Sequence, residues 1–108
     1  MENNVAMTYI SINRAPIRRE AAAEFEQVAE RWLRSERERL PHDELLARHL
    51  VRSDEGGEYV IISVWTGKEA HERSEDSPAE QEALRLIAGY LAGAPAPQFT
   101  GEVVSEVR

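Results

Sequence analysis

The sequence contains no cysteine among its 108 residues. This absence excludes disulfide bonds, thiolate metal sites and cysteine nucleophiles. The three histidines, His42, His49 and His71, are scattered without the spacing of a metal-binding motif. No glycine-rich loop of the kind that cradles phosphates is present either. We therefore predict a protein that binds no metal, flavin or haem.

Long apolar runs and an excess of basic residues are also missing. No segment approaches the roughly 20 apolar residues that a membrane span needs, and residues 1–4 lack the basic start of a signal peptide. With 13 Lys and Arg against 20 Asp and Glu, the net charge is -7, which argues against nucleic-acid or anionic-membrane binding. We expect a cytoplasmic protein with one domain, residues 1–108, that binds neither nucleic acid nor membranes.

The most hydrophobic and β-branched segment of this charged sequence is residues 58–65, which we predict to be a strand. Its side chains alternate between two faces, Tyr59, Ile61, Ser63 and Trp65 on one and Val60, Ile62 and Val64 on the other. Both faces are largely apolar, so both should be buried. Helices can cover one of them, and the other needs a different partner.

Periodicity and turn residues predict the remaining elements. In chain order they are a strand over residues 7–13 with a turn at Pro16, a helix over 18–38 stopped by Pro41, a strand over 44–52, a short helix over 68–73, a longer helix from Ser77 to about Gly93, and a strand over 99–107. Residues 53–57 are turn-forming and predict a hairpin between the second and third strands.

The order β-α-β-β-α-β predicts a ferredoxin-like α+β sandwich, with both helices on one face of an antiparallel sheet. The other face would then be bare in a monomer, and it would carry the apolar residues Ile10, Ile12, Val60, Ile62 and Val64. Such a patch is rarely left in water. We predict that two sheets pack face to face in a homodimer.

Several short motifs now resemble a known family. In chain order they are Ile-Ser-Ile-Asn at residues 10–13, Val-Trp at 64–65, Gly-Lys-Glu-Ala at 67–70 and Ser-Pro-Ala at 77–79. Together they resemble the antibiotic biosynthesis monooxygenase (ABM) family over residues 7–107. The resemblance implies a dimeric α+β barrel whose last strand reaches the partner, with a pocket between the sheet and its own helices. Some members oxidise polycyclic aromatic phenols with O2 and without metal or flavin, others degrade haem, others act on quinols or small signalling molecules, and several have no known chemistry.

The resemblance also implies roles for individual residues. Trp65 and His71 match positions of the anthrone-oxidising branch, and Arg85 matches a third when a one-residue shift is allowed. Asn13 stands where haem-degrading members carry a pocket asparagine. In this interpretation His71 is the base, Asn13 and Trp65 are hydrogen-bond donors, and Arg85 is the charge partner of an oxyanion.

The sequence also departs from the family pattern. Ile61 replaces an asparagine of the anthrone-oxidising branch, and Ser74 replaces a histidine found in many quinol-type members. Ser74 and Ala83 occupy the positions of a tryptophan and a histidine that haem degradation requires, so haem degradation is disfavoured. These departures weaken the prediction of oxygen activation.

Two functions remain open at this stage. The first is a cofactor-independent monooxygenase acting on an aromatic, polyketide or quinol-like substrate. Its binding residues would be Trp32, Phe25, Tyr9 and Ser63. The second is a non-catalytic dimeric barrel that binds a small molecule or serves as an accessory domain. A deep cavity with convergent polar groups would favour the first, and a packed interior the second.

Overall fold

A computed structural model describes residues 8–40 and 43–107. Its elements are β1 (Tyr9–Pro16), a 3-10 turn (Arg19–Ala21), α1 (Ala22–Arg39), β2 (Leu45–Arg52), β3 (Glu58–Trp65), α2 (Lys68–Glu75), α3 (Pro78–Ala88) and β4 (Phe99–Glu102). The predicted order of strands and helices is confirmed. Met7, Pro41 and His42, on which parts of the sequence predictions fall, lie outside the described residues.

The four strands form one antiparallel sheet in the order β2-β3-β1-β4. This order and the two crossover segments confirm the ferredoxin-like α+β fold. β1 is longer than predicted because it pairs with β3 as far as Pro16 and Glu58. β4 is shorter than predicted, and its pairing with β1 ends at Phe99 on one side and Glu102 on the other.

The two faces of the sheet have the composition that the alternation predicted. Tyr9, Ser11, Ser63 and Trp65 are buried on the helix side, and the register places Tyr9 opposite Trp65 and Ser11 opposite Ser63. The alternate residues Ile10, Ile12, Val60, Ile62 and Val64 are only half-buried. We call these five residues the outer face.

A β-bulge in β2 decides which of its residues face the helices. Leu45 pairs with Trp65, but Ala47 pairs with the adjacent Val64, so β2 contains one extra residue here. Simple alternation would place Leu45 and Arg48 on opposite faces, whereas a bulge of one residue brings both to the helix side. Arg37 of α1 donates a hydrogen bond to the Leu45 carbonyl and helps to hold this irregular backbone.

The core consists of two apolar clusters. One contains Tyr9, Leu45, Trp65 and Ala70, and the other contains Ile17, Phe25, Ala29 and Tyr59. The sheet between them carries two small residues opposite each other, Ser11 and Ser63. Because these side chains fill little space, a cavity remains between the sheet and the helices.

None of the helices in the described ranges is both long enough and apolar enough to cross a membrane.

Candidate functional site

The cavity has a volume of about 150 Å³ and draws its walls from six elements, three strands and three helices. Ser11 and Ser63 line it on the sheet. The larger side chains around it are Trp32 from α1, Arg48 from β2, Trp65 from β3, His71 from α2 and Glu80 from α3. The interior is therefore not fully packed, and several polar groups converge on the empty space.

Trp65 forms a buried wall of this cavity, with 1% of its surface exposed. Its indole Nε1–H donates a hydrogen bond to Ser11 Oγ at 3.1 Å. We predicted from the sequence that this N–H binds a ligand, whereas the structure pairs it with Ser11 inside the sheet. Trp65 can offer a ligand its ring but not a free donor.

His71 is buried rather than exposed on its charged helix. Its ring centroid lies 5.5 Å from that of Tyr9 and 5.6 Å from that of Trp65. Nε2 of His71 is 3.6 Å from the Glu75 carboxylate, one helical turn later. The structure therefore brings His71 and Trp65 to the same cavity, with a carboxylate that can orient the imidazole.

The other predicted site residues divide into three groups. Phe25, Trp32 and Ser63 line the cavity. Asn13 also lines it but is exposed, and its Oδ1 accepts a hydrogen bond from Gln98 Nε2 at 3.0 Å. Tyr9 does not line the cavity and packs behind His71 and Trp65.

Arg85 is the one predicted catalytic residue that the structure separates from the others. The residues of α3 that line the cavity are Glu80, Ala83, Leu84 and Ile87, which share one helix face. Arg85 is exposed and belongs to another face. The expectation that Arg85 joins this cavity was wrong, because a shift of one residue along a helix rotates a side chain by about 100°.

The guanidinium that lines the cavity belongs to Arg48 and not to Arg85. Its Cζ lies 5.2 Å from the ring centroid of Trp32 and 5.4 Å from that of Trp65, so two indoles flank it. The Nε and Nη1 atoms of Arg48 are buried and have no hydrogen-bond partner among the described residues. The same is true of Trp32 Nε1. The sequence signal for Arg48 was weak, because the same strand also carries His49 and a second arginine, Arg52.

Burial dominates the electrostatics of the site. It lowers the pKa of Arg48, while the charges of Glu36 and Glu80 act in the opposite direction. Arginine nevertheless stays protonated in proteins. Burial raises the pKa of Glu80, and the positive charge of Arg48 partly opposes this shift. The cavity thus holds a fixed cation and a carboxyl group that retains its proton more readily than usual.

The described residues contain no group of three or more His, Cys, Asp or Glu side chains placed to hold a metal ion. No residue of the cavity is therefore assigned as a metal ligand.

Fold and cavity together define a ferredoxin-like α+β domain with an aromatic-walled pocket beneath its sheet. The sequence profile of the antibiotic biosynthesis monooxygenase family matches residues 8–86, which is more than half of the chain. The chain belongs to this family. No curated protein has a significant sequence match to it.

Solved structures resemble the whole domain. A candidate antibiotic biosynthesis monooxygenase of Caulobacter crescentus superimposes with a TM-score of 0.79 at 20% identity, covering 94% of this chain and 93% of its own. A second such candidate, from Deinococcus radiodurans, superimposes with a TM-score of 0.78 at 16% identity. The match covers 93% of this chain and 96% of the Deinococcus chain. A Mycobacterium tuberculosis protein superimposes with a TM-score of 0.76 at 18% identity. The match covers 94% of this chain and 99% of the Mycobacterium chain. At these identities the likeness establishes the fold alone.

Proposed function

We propose that the protein is a cofactor-independent monooxygenase that oxidises a small aromatic, quinol- or polyketide-like substrate with O2. The observation that carries this proposal is the convergence, in one cavity, of a buried imidazole, aromatic walls and N–H donors that have no partner among the described residues. Membership of the antibiotic biosynthesis monooxygenase family supports the reaction type.

In the proposed reaction an anthrone-like or phenolic substrate loses a proton to His71. The resulting electron-rich anion gives one electron to O2, and the substrate radical recombines with superoxide to form a peroxide. The peroxide takes up a proton and loses water, which leaves a new carbonyl. One oxygen atom ends in the product and the other in water, so no external reductant is needed. The protein contributes a base, a fixed orientation and donors for the developing oxyanion.

Replacing His71 with glutamine is expected to lower kcat by about 10²–10⁴-fold, the usual contribution of a general base. Glutamine keeps a polar side chain of similar length, so the contacts with Tyr9 and Trp65 should be largely retained. The measurement is O2 uptake with a panel of hydroquinones and anthrones. Glu72→Gln is the matched control, because Glu72 is an exposed neighbour on α2.

A His71→Gln variant with the wild-type rate would contradict the role of this imidazole. If Glu80→Gln then abolished O2 uptake, the base would be the half-buried carboxylate of Glu80 on α3 rather than His71. Circular dichroism of each variant checks that the fold is retained.

The alternative function is a non-catalytic barrel that binds a small molecule or acts as an accessory domain. The observation in its favour is that Ile61 and Ser74 both line the cavity. They occupy positions where active branches carry asparagine and histidine, and an isoleucine side chain can neither donate nor accept a proton. Tight binding of the aromatic panel with no O2 uptake by any member would favour this function.

We also propose that the protein works as a cytoplasmic homodimer. The half-buried outer face supports this, because a contiguous apolar surface that faces water usually marks an interface. Further apolar side chains, Phe99, Val104 and Val107, are exposed at and beyond β4. An obligate dimer should bury more than ~2,000 Å² in total.

A further inference from the structure

We propose that the cavity binds a single-ring aromatic ligand with an anionic oxygen, and that Arg48 and Trp32 bind that oxygen. This inference rests on the proposed function in taking the cavity as the substrate site. It goes further by naming the chemical class of the substrate.

The first observation is the set of unpaired donors. Arg48 Nε, Arg48 Nη1 and Trp32 Nε1 are the buried side-chain nitrogens or oxygens that lack a partner among the described residues, and both side chains line the cavity. More than nine-tenths of buried polar groups are normally hydrogen-bonded, since an unpaired one costs free energy. Donors without protein acceptors point to a ligand that supplies the acceptors.

The second observation is the charge of Arg48. Its guanidinium makes no ion pair with any carboxylate of the described residues, although Glu36 and Glu80 are near enough to influence its pKa. Glu36 instead lies 3.5 Å from Arg39. A cation whose Nε and Nη1 atoms are buried is normally compensated by a partner of opposite charge. An anionic oxygen on the ligand would provide that partner.

The third observation is the size and shape of the space. A cavity of about 150 Å³ is large enough to enclose one benzene-sized ring, so a fused polycyclic molecule could place only one of its rings inside it. Trp32, Trp65 and Phe25 provide flat walls for such a ring. A larger ligand would have to extend out past the exposed Asn13 at the rim.

The anionic oxygen can belong to a carboxylate or to a phenolate, and both would meet the same donors. Benzoate tests the first source, with benzamide as the neutral molecule of the same shape. 4-Nitrophenol tests the second, because only its phenolate absorbs visible light strongly. If Arg48 binds the phenolate, the bound molecule should ionise at a lower pH than the free one.

The test is calorimetric titration of the full chain with benzoate and benzamide, together with absorbance titration with 4-nitrophenol. Wild type should bind benzoate at least tenfold more tightly than benzamide. Arg48→Met should weaken benzoate binding by about 10- to 100-fold, as expected for hydrogen bonds to a charged group, and leave benzamide within threefold. Glu80→Gln should tighten benzoate binding, because it removes a negative charge near Arg48.

Arg85→Met is the matched control, since its exposed guanidinium lies away from the cavity. Its affinity for benzoate should equal that of wild type. Thermal unfolding verifies each variant, and if Arg48→Met does not fold, Arg48→Lys replaces it. Lysine keeps the positive charge but lacks the planar guanidinium with its several donors. The affinity of the Arg48→Lys variant for benzoate should therefore lie between that of wild type and that expected for Arg48→Met.

Two results together would overturn the proposal. They are equal affinities of the wild-type protein for benzoate and benzamide, and ionisation of bound 4-nitrophenol at the same pH as the free molecule. Unchanged binding of the charged probes to the Arg48 variant would overturn it as well. Charge-selective binding that depends on Arg48, without any O2 uptake, would uphold this inference and reject the monooxygenase. O2 uptake that survives loss of Arg48, with no preference for the anion, would reject this inference alone.

Discussion

Replacing Trp65 with alanine is expected to lower the free energy of unfolding by about 3–5 kcal/mol, the range for removing a large buried aromatic side chain. Trp65 packs against Tyr9, Leu45 and Ala70. Its loss would also leave the buried Ser11 hydroxyl without its indole donor. Since small domains have a total stability of only about 5–15 kcal/mol, this variant should be close to unfolding at room temperature.

Urea unfolding, monitored by circular dichroism, measures this change in the free energy of unfolding. Trp65→Phe should cost clearly less than Trp65→Ala, because phenylalanine keeps most of the packing and loses chiefly the N–H bond to Ser11. Trp32→Ala is the second comparison, since Trp32 is only half-buried and its N–H has no hydrogen-bond partner within residues 8–40 and 43–107. A Trp65→Ala protein as stable as Trp32→Ala would contradict the central packing role of Trp65.

Replacing Ile62 with glutamate is expected to convert the proposed dimer to a monomer. Ile62 pairs with Ile12 on one side and His49 on the other, so it lies on a central strand of the outer face. In a two-fold symmetric dimer each substitution appears twice, which places two unpaired charges in one apolar interface. At several kcal/mol for each buried charge, the dissociation constant should rise by more than about a thousandfold.

Light scattering coupled to size-exclusion chromatography at micromolar concentration measures the mass of each variant. Ala23→Glu is the matched control, because it adds the same charge to the exposed first turn of α1 and should leave the dimer intact. A well-folded wild-type monomer under these conditions would refute the dimer itself. An Ile62→Glu protein that stayed dimeric would show that the partner does not cover the outer face.

The fold could be predicted because the strong signals in this sequence are local. The alternation in Glu58–Trp65 identifies β3 at its observed bounds. Ser77 followed by Pro78 marks the start of α3, where Ser77 Oγ accepts a hydrogen bond from Glu80 N at 3.3 Å. Such patterns depend on neighbours a few residues apart, which the sequence displays directly.

The chemistry of the site was harder to predict because it depends on the exact register of β2 against β3 and on the exact position of residues along α3. A single bulged residue at Leu45–Ala47 determines that Arg48 faces the cavity, and simple alternation gives no indication of a bulge. For the same reason a one-residue uncertainty on α3 was enough to misplace Arg85. The pairing of the Trp65 N–H with Ser11 joins two strands that are distant in sequence, so it too required the tertiary structure.

The most direct test of the cavity as the ligand site uses the two tryptophans of the chain, Trp32 and Trp65. Both line the cavity, so an NMR spectrum of 15N-labelled protein should contain two indole N–H signals that report on it. With benzoate at saturation we expect the Trp32 signal to move strongly downfield, because its N–H, unpaired in the described part of the chain, gains an acceptor. The Trp65 signal should move less, since its N–H already donates to Ser11. If calorimetry showed that the protein was saturated with benzoate and neither indole signal had moved, the ligand would have to bind elsewhere. That result would contradict the proposed site.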